Sequence, residues 1–381
     1  MILTIVCDVL GEENNGTTIA AMNLIRSMRA KGHTVRVVCP DASRRGEKDF
    51  YVVPKLNLGP LNAYLKKNRV EAAKPDKRVI AEALDGADAV HLLLPFPVSI
   101  SALKLARRKG LPVTASFHCQ AENFTNHIFL MNAGLANKLV YRFFYRHVYR
   151  YTDCVHYPTE FIKDTFEKGC GHSVPGRVIS NGVNRVFIPG KAEKPEEFKD
   201  KYVILFTGRY SKEKSHKLLI KAAGLSRYRD RIQLIFAGCG PQEKKLKKLS
   251  SGLPNPPAFR FFSRAEMVNV LHYADLYVHP AEIELEAIAC LEAISCGLVP
   301  VINDSPRSAT RYFAQSEKNL FKFNDPKDLA EKIDWWIEHP REKALCSQSY
   351  RGYSARFNFD HCMDEMERMI IETKEASGEA R

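Results

Sequence analysis

The chain has 381 residues, is 45% hydrophobic, and sets 57 Lys plus Arg against 44 Asp plus Glu for a formal charge of +13. That length supports a core large enough for two domains, and no apolar run reaches the roughly eighteen residues needed to cross a bilayer. The basic excess calls for an anionic partner, whether nucleic acid, an acidic membrane or phosphate groups; the lack of zinc-finger spacing, an RNP motif or a basic heptad segment argues against nucleic acid.

In chain order, the start MILTIVCDVLGEENN places a short apolar stretch before acids, where a signal peptide has a basic segment and a cleavage site. Residues 2–7 read as a first strand and the expected compartment is the cytosol. Asn14-Asn15-Gly16-Thr17-Thr18 then feeds a helix, whose free N–H groups favour an anion, although the same residues also make an ordinary turn and N-cap. TVRVVCP, AVHLLLP, PVTASFH and CVHYP follow as strands with helical segments between them, and YVILFTG, IQLIFAG, LYVHP and VPVIND repeat the pattern in the second half. Such alternation predicts parallel sheets covered by helices on both faces, with ligands at the strand ends. Residues 184–202, with Pro189, Gly190 and Pro195 among charges, read as an interdomain linker, and after residue 355 an amphipathic helix closes the chain.

The ten cysteines form no CxxC pair and several lie in apolar runs, so free thiols are expected and no metal site is. After YVILFTG, Arg209, Lys212 and Lys214 gather cations at a strand end, which suits a diphosphate. The next strand ends in Gly238-Cys239-Gly240-Pro241, where glycines let a backbone approach something closely. Finally HPAEIELEAIACLEAISCGLVP sets Glu284 and Glu292 eight positions apart. On one ideal helix they would stand roughly 12 Å apart along the axis and roughly 80° around it, too far to share a proton and better suited to gripping two parts of an extended polyol. On spacing alone, Glu284, Glu286 and Glu292 read more readily as the solvated face of a helix beside Ile288, Leu291 and Ile294.

GRYSKEK, FAGCGP, ADLYVHPAEIELEAIACLEAISCGLVPV and RVISNGVNRVFIP, with GHTVRVVCP and ASFHCQAENFT earlier, resemble in order the signatures of the GT-B nucleotide-sugar glycosyltransferases of family 4. The resemblance implies two Rossmann-like, doubly wound parallel-sheet domains facing a cleft: 1–188 on the acceptor side, 189–355 binding the nucleotide sugar, and a helix over 356–381 packing back on the first domain. It assigns Glu284 to hydroxyls of the donor sugar, Glu292 to the ribose, and Arg209 and Lys214 to the diphosphate. Gly16 falls at the donor phosphates, His118 near the donor sugar, and Gly238, Gly240 and the backbone of Glu286, Ala287 and Ile288 along the donor. The implied reaction is hexosyl transfer with retention of configuration, without metal or cofactor and without an assigned general base. Two positions depart from the family: Glu286-Ala287 stands where Phe-Gly is common, with Ala287 expected in ordinary helical backbone, and Ser215 replaces the glycine usual after the phosphate lysine.

For the acceptor, Val140 to Tyr151 repeats as VYRF, FYRH, VYRY, which lines up Arg142, Arg146 and Arg150 in one helical stripe, Tyr141, Tyr145 and Tyr149 in a second, and Val140, Phe144 and Val148 in a third. Pro60 to Arg78 is a second basic segment, with Lys66, Lys67 and Arg69. A basic stripe flanked by tyrosines suits an anionic membrane surface; core tyrosines with solvated arginines are the alternative. NNGTT and SPRSATRYFA also resemble the bacterial diacylglycerol branch of the family. The expected enzyme moves glucose or galactose from a UDP-sugar to a lipid hydroxyl, 1,2-diacylglycerol first, while peripherally bound at the inner face of the cell membrane. A soluble sugar acceptor and a non-catalytic nucleotide or nucleic-acid binder remain as other readings, and the oligomeric state stays open.

Overall fold

The computed structural model describes residues 1–10, 16–57, 59, 73–122 and 133–379. The chain divides into two compact units, one of Met1–Asn181 with Asp360–Arg381 and one of Gly182–Phe359.

In the first unit the strands are β1 (Ile2–Val6), β2 (Thr34–Cys39), β3 (Phe50–Val52), β4 (Ala89–Leu92), β5 (Val113–Ser116), β6 (Cys154–Tyr157) and β7 (Gly176–Val178). Helices α1 (Gly16–Ala30), α2 (Lys77–Ala83), α3 (Pro97–Arg108), α4 (Gly134–His147) and α5 (Glu160–Cys170) alternate with them. The sheet order is β3-β2-β1-β4-β5-β6-β7 and every pairing is parallel. The second unit carries β8 (Tyr202–Thr207), β9 (Ile232–Ala237), β10 (Ala258–Arg260), β11 (Leu276–His279), β12 (Pro300–Asn303) and β13 (Leu320–Phe321), in the order β10-β9-β8-β11-β12-β13, again all parallel. Its helices are α6 (His216–Leu225), α7 (Glu243–Ser250), α8 (Arg264–Tyr273), α9 (Ile288–Ser295), α10 (Pro326–Glu338) and α11 (Pro340–Ser354). Each unit is thus doubly wound, with the strand order reversing between β1 and β4 and between β8 and β11. Open parallel sheets offer a ligand crevice at that reversal.

The inner strands are near-continuous apolar runs because both faces are covered. Four short strands go beyond the sequence reading, β3, β7, β10 and β13, and all four are sheet edges. Each has two or three residues and at most one buried side chain, so the hydrophobic pattern that marks an inner strand is missing there.

The segment 184–202 is not a linker between the units but lies wholly within the second. Phe187 and Phe198 are buried in that unit's core. Lys194 Nζ donates to Asp275 Oδ2 at 2.6 Å, and His272 Nε2 donates to the Ile188 carbonyl at 2.8 Å. Anchors spaced along an irregular segment hold it as firmly as a periodic one.

The last helix, α12 (Phe359–Glu379), packs on the first unit. It buries Cys362, Met363, Met366, Met369 and Ile370. At its rim Glu367 meets Lys31 at 2.8 Å and His33 at 2.6 Å, Asp364 pairs with Lys31, Glu372 with Arg177, and Lys374 with Asp88 at 3.6 Å. Such rim pairs contribute little each. The apolar face contributes roughly 1.5–3 kcal/mol per fully buried large side chain, a sum comparable with the stability of a whole domain. A chain ending at Phe359 is therefore expected to be insoluble or to lose the cooperative melt of the first unit; a soluble truncation that melts like the full chain would show that α12 is dispensable.

Candidate active site

β8 ends at Thr207, and the chain turns through Gly208, Arg209, Tyr210 and Ser211 into a 3-10 turn at Lys212–Lys214. Tyr210 pins this turn. Its buried hydroxyl donates to the Phe236 carbonyl at 2.7 Å, its N–H donates to the Cys239 carbonyl at 3.0 Å, and its own carbonyl accepts from the Gln242 N–H at 3.0 Å. A Cβ on Gly240 would fall 2.6 Å from the Tyr210 nitrogen, and one on Gly238 would fall 2.2 Å from the Gly208 carbonyl oxygen. The close approach expected of these glycines is thus made by the neighbouring strand-end loop, and they fix the turn that carries half-buried Arg209 and Lys214.

On the adjoining strand, β11 ends at His279 and leads to Glu284. Hydrogen bonds from both sides clamp this loop. The Glu282 N–H donates to the Glu213 carbonyl at 2.8 Å and the Ala309 N–H to the Glu284 carbonyl at 2.9 Å. Ser305 Oγ donates to the Glu282 carbonyl at 2.6 Å, Asn303 Nδ2 donates to the Pro280 carbonyl at 3.0 Å, and Arg307 pairs with Glu282. The result brings Lys214 Nζ to 2.5 Å and His279 Nε2 to 3.1 Å from the same oxygen, Glu284 Oε1. Burial would raise the Glu284 carboxyl, but Lys214 and His279 outweigh it and hold the pKa at about 2. Burial pushes His279 down, against the opposing pull of Glu284, so a neutral imidazole donates to a carboxylate.

Glu292 is in a different state. It sits half-buried on α9, and among the described residues no hydrogen bond joins it to Glu284. Burial raises its pKa to about 7, against a lowering influence from Arg264 at the start of α8. Two glutamates eight positions apart therefore hold opposite protonation tendencies at neutral pH.

Gly16 and His118 belong to the first unit. Gly16 opens α1, and among the described residues a Cβ there would meet nothing within 4 Å. His118 follows β5 and lies edge-on to His156, with ring centroids 5.7 Å apart. Burial holds His118 well below the usual histidine range, which makes it a neutral hydrogen-bonding group and not a cation. Beneath it runs a buried chain: His156 Nε2 donates to the Ile179 carbonyl, Ser116 Oγ bridges His156 to His91, and His91 reaches Thr114.

Of the surface residues expected to face a membrane, Arg142 and Arg146 lie exposed on α4 and Arg150 on the 3-10 turn that follows. Lys66, Lys67 and Arg69 lie outside the described residues. The tyrosine stripe is corrected: Tyr141 and Tyr149 are buried, with Tyr141 Oη donating to Glu122 at 2.6 Å and Tyr149 Oη to the Ser116 carbonyl at 3.2 Å, and Tyr145 stacks on His172. No helix among the described residues is long and apolar enough to cross a membrane.

A family model described as Glycosyltransferase Family 4 matches residues 14–187, and one described as Glycosyl transferases group 1 matches residues 188–352. The chain belongs to the family 4 glycosyltransferases. This glycosyltransferase is 24% identical over 358 residues to a GDP-mannose-dependent alpha-mannosyltransferase from Corynebacterium glutamicum, covering 89% of this chain and 81% of that one. It is 22% identical over 345 residues to an alpha-monoglucosyldiacylglycerol synthase from Acholeplasma laidlawii, covering 84% of each. Its fold matches that of Anabaena HepE, solved in complex with UDP-glucose, at a TM-score of 0.74 and 17% identity, covering 98% of this chain and all of the other. The fold is GT-B.

Sequence reasoning passed over His279, although its imidazole closes the strand directly before the paired glutamates, and over Asn303 and Ser305, whose role lies in backbone contacts that no spacing reveals. It also misplaced the backbone of Ala287. That residue has φ 60° and ψ 64°, and Ser215 has φ 51° and ψ 33°, both left-handed. The glycosyltransferase thus has left-handed backbone, with a Cβ present, at the two positions where the resemblance implied glycine.

Left-handed backbone costs a residue with a Cβ roughly 1–2 kcal/mol, partly offset by the greater unfolded-state freedom of glycine. Ala287→Gly is accordingly expected to stabilise the enzyme by about 0.5–1 kcal/mol in denaturant titration; destabilisation would mean that the methyl group packs usefully. Glu292 gives a pH test. Its folded pKa lies above the unfolded value, so the folded state binds the extra proton and stability falls as pH rises from about 4.5 to about 7. Glu292→Gln is expected to raise the melting temperature at pH 8 and leave it nearly unchanged at pH 4; equal effects at both would remove the linkage.

Proposed function

We propose that this glycosyltransferase transfers glucose or galactose from a UDP-sugar to the hydroxyl of a membrane lipid, 1,2-diacylglycerol first, with retention of configuration and without a metal, at the cytosolic membrane face. The observation that carries the donor half is the cluster of Lys214, Glu284 and His279 at the β8/β11 reversal, where a doubly wound sheet receives its ligand.

Each group has chemistry fitted to one part of a nucleotide sugar. Lys214 and Arg209 supply fixed cations for the diphosphate, whose negative charge grows as the glycosidic bond breaks. Glu284, ionised at neutral pH, accepts hydrogen bonds from hydroxyls of the hexose, and His279 holds its carboxylate in place. Glu292, titrating near neutrality, can accept from or donate to a ribose hydroxyl. The α1 N-terminus, opened by Gly16, favours phosphate oxygens, and neutral His118 can hydrogen-bond the sugar. The departing diphosphate takes the acceptor's proton, so no side chain is needed as general base.

The uridine reading draws on the HepE fold with UDP-glucose, and the lipid reading on the diacylglycerol-directed relative and the basic face of α4. The Corynebacterium relative favours a second donor, GDP-mannose.

A panel of UDP-glucose, UDP-galactose and GDP-mannose against diacylglycerol, ceramide, a sterol and a soluble disaccharide, read as nucleotide release, tests both halves. UDP release with diacylglycerol is expected; GDP release with the disaccharide would replace the proposal. Lys214→Ala and Glu284→Gln should each lower kcat about 10²–10³-fold while the protein remains folded, and near-normal turnover in either would remove the cluster from the chemistry.

A further inference from the structure

We infer that α4 is the element by which the enzyme enters an anionic lipid surface, through an exposed ridge of Leu135, Leu139 and Phe143. The inference deepens the membrane-lipid reading and rests on it for the bilayer as occupant.

These three side chains are 72%, 57% and 46% exposed. They are four residues apart, and four residues turn an α-helix only about 40° beyond a full circle, so they form one continuous ridge. Lys138, Arg142 and Arg146 are exposed on the same outward arc, and α4 contains no acidic residue. Beyond its end, the Arg150 guanidinium lies 4.3 Å from the ring centre of half-exposed Tyr151.

The helix cannot hide the ridge by rolling. Its inner face is fixed by buried Asn137, Tyr141 and Phe144. Tyr141 Oη donates to Glu122 at 2.6 Å, and the Tyr141 ring lies against Phe166 of α5 at 6.0 Å between centroids. Gly169 of α5 leaves room for that ring, since a Cβ there would fall 2.4 Å from it.

Large apolar side chains held in water at helical spacing mark an interaction surface, and the cations interleaved with them select its chemistry. An RNA would pair with the arginines and leave the leucines in water. An anionic bilayer satisfies both at once, taking the apolar ridge at the acyl boundary and the cations at the headgroups.

Co-sedimentation of the full-length enzyme with phosphatidylcholine vesicles, with and without phosphatidylglycerol, tests this. The wild type should bind the anionic vesicles and release with salt. At about 1 kcal/mol per surface cation, Arg142→Ala with Arg146→Ala should weaken binding roughly thirtyfold. Leu135→Ser, Leu139→Ser and Phe143→Ser together should abolish binding at every salt concentration, leave the melting temperature unchanged, and preserve transfer to a detergent-solubilised lipid while transfer to a vesicle-borne lipid falls. Wild-type sedimentation by this triple variant, or equal binding of the wild type to neutral vesicles, would overturn the inference. Vesicle binding without any lipid product would instead sink the lipid-acceptor reading and leave the role of α4 standing.

Discussion

A carboxylate withdrawn from water stays ionised only where a positive charge or several hydrogen-bond donors meet it. At Glu284 that requirement is met by Lys214 and His279, and the two come from different places: His279 closes β11, while Lys214 follows the turn after β8. Their meeting depends on the β8/β11 register, Leu276 opposite Ile204 and Tyr277 opposite Leu205, and on the backbone bond from the Glu282 N–H to the Glu213 carbonyl. The sheet reversal brings two strand ends together, the loops deliver opposite charges to one point, and a partly dry site keeps both charges strong.

The same physics explains why the two glutamates differ. Burial acts on both in the same direction, but Glu284 has a lysine at 2.5 Å, whereas at Glu292 the opposing influence of Arg264 is outweighed by burial. One is therefore a fixed anion and the other a group whose charge follows its surroundings. For a ligand with a ring of hydroxyls at one end and a ribose at the other, this is a division between a permanent acceptor and an adaptable one.

The inner strands were legible because their signal is local, continuous apolar runs where both faces are covered; the spacing of Glu284 and Glu292 alone fitted a solvated helix face, and only the ordered motifs elsewhere in the chain pointed to a site. What the sequence hid was decided by tertiary partners. The edge strands β3, β7, β10 and β13 carry little buried surface and exist by pairing with a neighbour. Residues 184–202 look like a linker because their anchors, Phe187, Phe198 and Lys194, are too widely spaced to make a pattern. On α4 the period was legible but the inward face was not. Tyr141 turns inward because Glu122 accepts its hydroxyl and Gly169 leaves room for its ring; the outward positions then fall to Leu135, Leu139 and Phe143.

Glycine tells opposite stories at the two kinds of loop around the site. At Gly238 and Gly240 it is required by sterics, because the neighbouring backbone occupies the space a Cβ would need. At Ser215 and Ala287 the left-handed backbone persists with a Cβ present, which requires the surroundings to determine the conformation more strongly than the residue opposes it. Those surroundings are visible. The Ser215 N–H donates to the Lys212 carbonyl and the Leu218 N–H to the Ser215 carbonyl; the Cys290 N–H donates to the Ala287 carbonyl, with Glu284 clamped three residues earlier by the Ala309 N–H. One strained residue directly follows Lys214 and the other directly precedes α9. The conformation there is thus set by the clamps that position Lys214 and Glu284, and weakening those clamps would release the strain and the charged pair together.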